Sequence, residues 1–140
     1  MRTITSIFAV LGLLALPGCR GKTTSISNSD YLLGLLGEAW NNARESLQSD
    51  QPNLDLLRSV HVLLTQRAPS RLPKDYQGSN KQQVLDKLKA LGDAYTAEVA
   101  SKMDFLSQRV RLKEGVKLEH VRAAFMKLDK DYRELEAMTR

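Results

Sequence analysis

Beyond Asp30 the apolar residues recur at intervals of three and four, and no stretch keeps the strict alternation of a half-buried strand. A first helix is predicted to begin at Ser29 or Asp30, either able to cap it, with Leu32, Leu36, Trp40, Ala43 and Leu47 on one face. Gly34 and Gly37 each weaken it by up to about 1 kcal/mol relative to Ala. The run Ser49 to Asn53 breaks the chain, and a second helix follows over about 53–66 with Leu57, Val60 and Leu64 inward. Two prolines and a glycine make 67–78 read as a long loop. Ser79 and Gln82 are spaced for a capping box ahead of a third helix over about 80–113, carrying Val84, Leu88, Leu91, Tyr95, Val99, Met103 or Lys102, Leu106 and Val110. Gly115 would end it as a left-handed residue. The fourth helix has the cleanest seam: Leu118, Val121, Phe125, Leu128, Tyr132 and Leu135. Four amphipathic segments predict an all-α fold, an antiparallel up-down four-helix bundle. The alternative is a long hairpin of the third and fourth helices with two shorter helices packed on it.

The N-terminus follows a different pattern. One positive charge precedes the uncharged run Ile4 to Leu16. As a helix that run would reach about 20 Å, short of the ~30 Å hydrocarbon core of a bilayer. It reads as a secretory signal. Leu16-Pro17-Gly18-Cys19 follows, with a Leu three residues before the chain's single cysteine and a small residue just before it. This arrangement resembles the lipobox of bacterial lipoproteins. The resemblance implies that 1–18 is cleaved and that Cys19 is diacylglycerol-modified and becomes the first, N-acylated residue, with palmitate-type chains holding the protein to a membrane outside the cytoplasm. Stretch 19–29 is polar and reads as a tether, leaving 30–140 as the bundle. In enterobacterial lipoproteins an Asp after the cysteine favours inner-membrane retention; Arg20 at that position favours the outer membrane.

Composition narrows the chemistry. At 42% hydrophobic and 26% charged residues the chain is an ordinary globular domain in make-up, which excludes wholesale disorder and a multi-span membrane protein. One cysteine excludes an internal disulfide and a multi-thiolate zinc site. Loss of Arg2 with the leader leaves 20 basic residues of the original 21 against 16 acidic ones. An extracytoplasmic address and the lack of a basic stripe interleaved with aromatics argue against nucleic acid. No phosphate loop, G-x-S-x-G or H-E-x-x-H occurs, so no enzyme and no cofactor is expected. His61 and His120 are the candidates for a competing reading, a haem- or metal-binding bundle serving as a carrier or in electron transfer. The adjacency of Glu119 and His120 does not match the Glu-x-x-His spacing of di-metal bundles. Met103, Met126 and Met138 read as core or boundary fillers. Asp129, Asp131, Glu134 and Glu136, interleaved with Lys127, Lys130 and Arg133, read as a solvated helix face.

Two basic clusters remain. Arg67, Arg71 and Lys74 fall in the 67–78 segment, which an up-down bundle returns to the start of the first helix, so they are expected near the membrane and its anionic headgroups. Arg109, Arg111, Lys113 and Lys117 lie at the far end; the first three suit a helix C-terminus, and together they form a candidate surface for an envelope protein or acidic polymer. The expected role is therefore a structural or protein-interaction module of the cell envelope.

Overall fold

The computed structural model describes residues 27–140; the leader, Cys19 and most of the tether lie outside the described residues. Helix α1 (Asn28–Leu47) starts earlier than Ser29 or Asp30 would have it, because Ser27 is the cap, its hydroxyl accepting from the Asp30 amide at 3.1 Å. Ser29 is instead buried in the first turn. Helix α2 (Asp55–Val62) runs through a wide π turn, Leu63–Arg67, directly into α3 (Ala68–Asp75). Helix α4 spans Lys81–Glu98, and α5 spans Leu118–Met138. Between them lie a 3-10 turn, Ala100–Lys102, and a small antiparallel hairpin of β1 (Met103–Asp104) and β2 (Arg111–Leu112), with Met103 opposite Leu112.

Cross-helix contacts fix the topology. Along α1 and α5, Trp40 bonds Asp129, Asn41 accepts from Arg133, and the Leu47 carbonyl accepts from Arg122. Along α4 and α5, Asn80 reaches Met138, Lys87 reaches Asp131 and Glu134, and Glu98 reaches Lys127. Tyr95 of α4 donates to the Leu57 carbonyl, and Thr96 meets His61. The widely spaced contacts run in opposite senses: Asn41 meets Arg133 but Leu47 meets Arg122, Asn80 meets Met138 but Glu98 meets Lys127, and Leu57 meets Tyr95 but Leu64 lies against Gly92, so the molecule is an up-down-up-down four-helix bundle. The alternative of a long hairpin with two shorter helices is not what the chain adopts.

The core is centred on Trp40, Tyr95, Phe125 and Tyr132, all buried. The indole stacks on Phe125 at 4.4 Å and on Tyr132 at 4.8 Å between ring centroids. Its N–H donates to Asp129 Oδ1 at 2.8 Å, and Asp129 also faces Arg44 and Arg133, each at 3.6 Å. A buried indole N–H needs an acceptor. The acidic and basic run of α5 is therefore more than a solvated face: Asp129 is only 14% exposed, and Asp131, Glu134 and Lys127 tie α5 to α4.

Two segments differ from the sequence reading. The 67–78 stretch is helical as far as Asp75. Within the π turn the Ala68 amide reaches the Leu63 carbonyl, so the next donor in that pattern would be Pro69, which has no N–H. The Leu64 carbonyl left over lies against α4 at Gly92, where an added Cβ would come to 3.3 Å of it. Pro73, exposed at the rim of the groove between α3 and α4, removes one further helical bond, the one to the Pro69 carbonyl. Arg67, Arg71 and Lys74 thus sit on helical turns, not on a loop. The expected Ser79 to Gln82 capping box is also replaced: Asn80 is the N-cap of α4, and its side chain joins Tyr76 Oη to the Met138 carbonyl.

The third predicted helix stops at Glu98, not Lys113. Continued to Lys113 it would run about 22 Å past Glu98, beyond the ends of its partners at Leu47 and Leu118. Folding back lets Val99, Met103 and Val110 cover the end of the core. Gly115 does have a left-handed backbone, φ 82°, but it turns β2 into α5 and does not close a helix.

Candidate functional site

The bundle has two chemically distinct ends. At one, α1 begins, α3 and α5 finish, and α4 starts. Arg67 and Arg71, one turn apart, open with Asn28, Tyr31 and Ser70 onto a concavity of about 210 Å³ that also includes Asp75. Among the described residues neither guanidinium has a carboxylate within ion-pairing distance. Lys74 is exposed on the same helix but does not line the concavity. The expected proximity of this segment to the start of α1 therefore holds for Arg67 and Arg71.

At the other end the hairpin is braced from α2 by two residues that the sequence did not single out. Arg58 Nη1 donates to the carbonyls of Phe105 (3.0 Å) and Ser107 (3.2 Å). Asp55 accepts from the Val110 amide at 3.1 Å and pairs with Arg58 at 3.5 Å. Asp104 Oδ1 takes the Leu106 amide at 3.1 Å, and the Lys113 amide closes the ladder onto the Lys102 carbonyl at 2.9 Å. Phe105 turns in against His61, 5.4 Å between ring centres. Leu106, between the two clamped carbonyls, is 99% exposed.

The far-end basic cluster is spread over this hairpin and the turn after it. Arg109 flanks a hollow of about 390 Å³ shared with the Gln51 to Asp55 loop. Arg111, on β2, faces Asp104 at 3.8 Å. Lys113 lies just past β2, and Lys117 is the N-cap of α5. No helix ends at Arg109, Arg111 or Lys113, so the expected macrodipole account of these charges does not apply.

The histidines are placed apart from a shared interior site. His61 Nε2 lies 3.1 Å from Thr96 Oγ1, whose own proton goes to the Gly92 carbonyl at 2.9 Å. The imidazole must therefore be the donor. Burial lowers its pKa below the ordinary 6.5. His120 is exposed in the first turn of α5, where Nδ1 accepts from the Lys117 amide at 3.4 Å. The space between the helices that a haem would require is filled by Trp40, Tyr95, Phe125 and Tyr132. Among the described residues no three His, Cys, Asp or Glu side chains converge as metal ligands.

Met103 is buried, Met138 half-buried, and Met126 38% exposed. A shallow apolar groove of about 360 Å³ lies between α3 and α4, where Pro69 and Pro73 face Leu85 and Leu88. No described helix is long and apolar enough to cross a membrane. Comparison with protein-family models, with curated proteins and with solved structures finds no match for this chain.

Proposed function

We propose that the chain is a membrane-anchored, extracytoplasmic helical lipoprotein that serves as a structural or protein-interaction module of the cell envelope. Leu16 to Cys19 supplies the anchor: one acyl chain holds only marginally, whereas two or three hold stably. The observation that carries the reading is the opposition of the two ends. The tether joins α1 beside Arg67 and Arg71, and the braced hairpin lies at the other end of helices that span about 30 Å. A lipid on Cys19 leaves the hairpin facing away from the membrane, and Arg67 and Arg71 meet anionic headgroups at roughly 1 kcal/mol per basic residue.

Lipidation is tested in the native host. Labelled fatty acid should enter the chain, globomycin should block its processing, and Cys19→Ala should release it from the membrane fraction; an unlabelled, freely soluble parent refutes the anchor. For the basic end, a Cys19→Ala chain should lose most of its affinity for anionic vesicles when Arg67, Arg71 and Lys74 become alanine, and equal binding by both forms refutes that part. A Soret band or stoichiometric metal in protein purified from its host would overturn the module reading in favour of a haem or metal bundle.

A further inference from the structure

Leu106 stands out among the described apolar residues. The other two large ones that reach solvent are Tyr31 at 60% and Met126 at 38% exposure, both on helix surfaces, whereas Leu106 at 99% makes essentially no contact with its own chain. A leucine on a loose loop would be unremarkable, since single exposed apolar residues are common. Here the loop is not loose. Arg58 holds the carbonyls on both sides of Leu106, Asp104 holds its amide, and Asp55 holds the strand that returns. The guanidinium comes from α2, 47 residues earlier in the chain. A side chain presented on a backbone fixed in advance binds without the ordering cost that a mobile loop incurs.

We infer that the hairpin tip is a pre-organised docking knob. Leu106 enters an apolar pocket on a second, folded envelope protein whose rim carries carboxylates. The charge around the tip carries the choice of rim: between Lys102 and Lys113 there are four basic residues and one acid, Asp104, which already faces Arg111. Arg109 and Lys113 remain for the partner. The leucine carries the choice of a protein over an acidic polymer, because a polyanion is held by the cations alone and gains nothing from a projecting alkyl group. Anchors of this kind dominate interface energies while the charged surround sets orientation and encounter rate. The inference rests on the module reading above but not on the lipid.

The test places a photoreactive amino acid at exposed Gln108, beside the knob, in the full chain expressed in its host, with a control probe at exposed Gln83 on α4. One discrete protein adduct is expected from 108 and none from 83, mapping on the partner beside Asp or Glu residues. Its yield should fall at least about fivefold with Leu106→Ser and with Arg109→Glu, and survive Leu106→Met. Because Leu106 is so exposed, the serine change leaves the melting temperature at the parent value, which separates lost binding from lost folding. A Cys19→Ala chain that leaves the membrane yet still yields the adduct supports the knob independently of the anchor. An adduct from 83 and not 108 overturns the knob while leaving an interaction module. A polydisperse polymer adduct, or retention on anionic vesicles that is indifferent to Leu106→Ser, overturns the choice of partner.

Discussion

Replacing Arg58 by methionine keeps the length and most of the apolar stem of the side chain and removes the two bonds that clamp the hairpin tip. Hydrogen bonds from a charged donor contribute about 1.5 to 3 kcal/mol each when buried. Here the guanidinium is 35% exposed and its partner Asp55 is 46% exposed, and water replaces much of each bond once the clamp is gone. A net loss of about 1 to 2 kcal/mol in closing the hairpin is expected, a five- to thirtyfold rise in the open fraction. The loss should stay local, since Val99, Met103 and Val110 cap the core without filling its centre. Native-state hydrogen exchange is the assay. In Arg58→Met the amides of Val110 and Lys113, bonded to Asp55 and to the Lys102 carbonyl, should exchange five to thirty times faster, while amides in the middle of α4 and α5 keep the parent rate. Unchanged exchange at Val110 would mean the hairpin is rigid without Arg58. Equal acceleration at Tyr95 and Phe125 would mean that hairpin and bundle unfold as one unit. Either result refutes the reasoning that α2 fixes the knob in advance.

Trp40→Phe should cost about 2 kcal/mol and lower the melting temperature by roughly 8 to 15 °C, because Asp129, 14% exposed, loses its indole donor and keeps only Arg44 and Arg133; thermal denaturation followed by circular dichroism measures it. Gly34→Ala meets nothing within 4 Å and should stabilise the protein by about 0.5 to 1 kcal/mol through helix propensity. In Gly37→Ala the new Cβ falls 2.9 Å from the Tyr132 hydroxyl, at the end of a ring stacked on Trp40, so that gain should be absent in urea titrations of the pair. At alkaline pH, burial pushes the Tyr95 hydroxyl well above its usual 10 and Tyr132 up to about 12. The unfolded chain loses these protons first, so stability is fully present below pH 10 and falls as pH rises toward 12. Melts across that range, with a further step in tyrosinate absorbance on unfolding as Tyr95 and Tyr132 are released, check it. At acid pH the lowered pKa of His61 works the other way: the unfolded chain takes up the proton first, so stability declines as pH falls below 6.5. His61→Gln, which can still donate to Thr96, should flatten that part of the profile.

Much of this architecture is legible in the residues. On α1 and α5 the spacing of three and four is unbroken by proline, and the predicted faces, Leu32 to Leu47 and Val121 to Leu135, are the buried ones. In α4 the same spacing runs on past the true end, because Val99, Met103 and Val110 are buried by a fold-back as well as they would be by a helix. Periodicity cannot separate the two. The signal available was length, since no partner helix existed to cover turns beyond about residue 100, and Leu106 was the one member of the row that a helical seam would have buried. Pro69 and Pro73 argued for a loop; the wide turn accommodates Pro69 at the start of α3, and Pro73 costs one bond at an exposed position. The Arg58 and Asp55 clamp was out of reach altogether: three residues apart, they read as a surface pair on a helix, and the carbonyls they hold come from a hairpin that no local rule predicts. The basic residues were found, but their setting was not, because charge shows in a sequence whereas the backbone that displays it does not.

The π turn has a consequence for how this helix can change length. The buried row from α2 into α3 is Leu57, Val60, Leu64, Ala68, Leu72 and Tyr76, a step of three followed by four steps of four. On an uninterrupted α-helix that row would wander by about 100° over its nineteen residue steps, the angle of one residue. The wide turn at Leu63–Arg67 takes up that one residue. Remove Gln66 and the row becomes three, four, three, four, four, which an ordinary α-helix keeps on one side. A chain one residue shorter would therefore present the same face to the core, yet Pro69 would then stand four residues after Leu64, so the Leu64 carbonyl would still have no helical donor and Gly92 would still have to leave room for it. The single extra residue of the wide turn thus sets which face this helix buries, while Pro69 keeps the segment from regular bonding at either length.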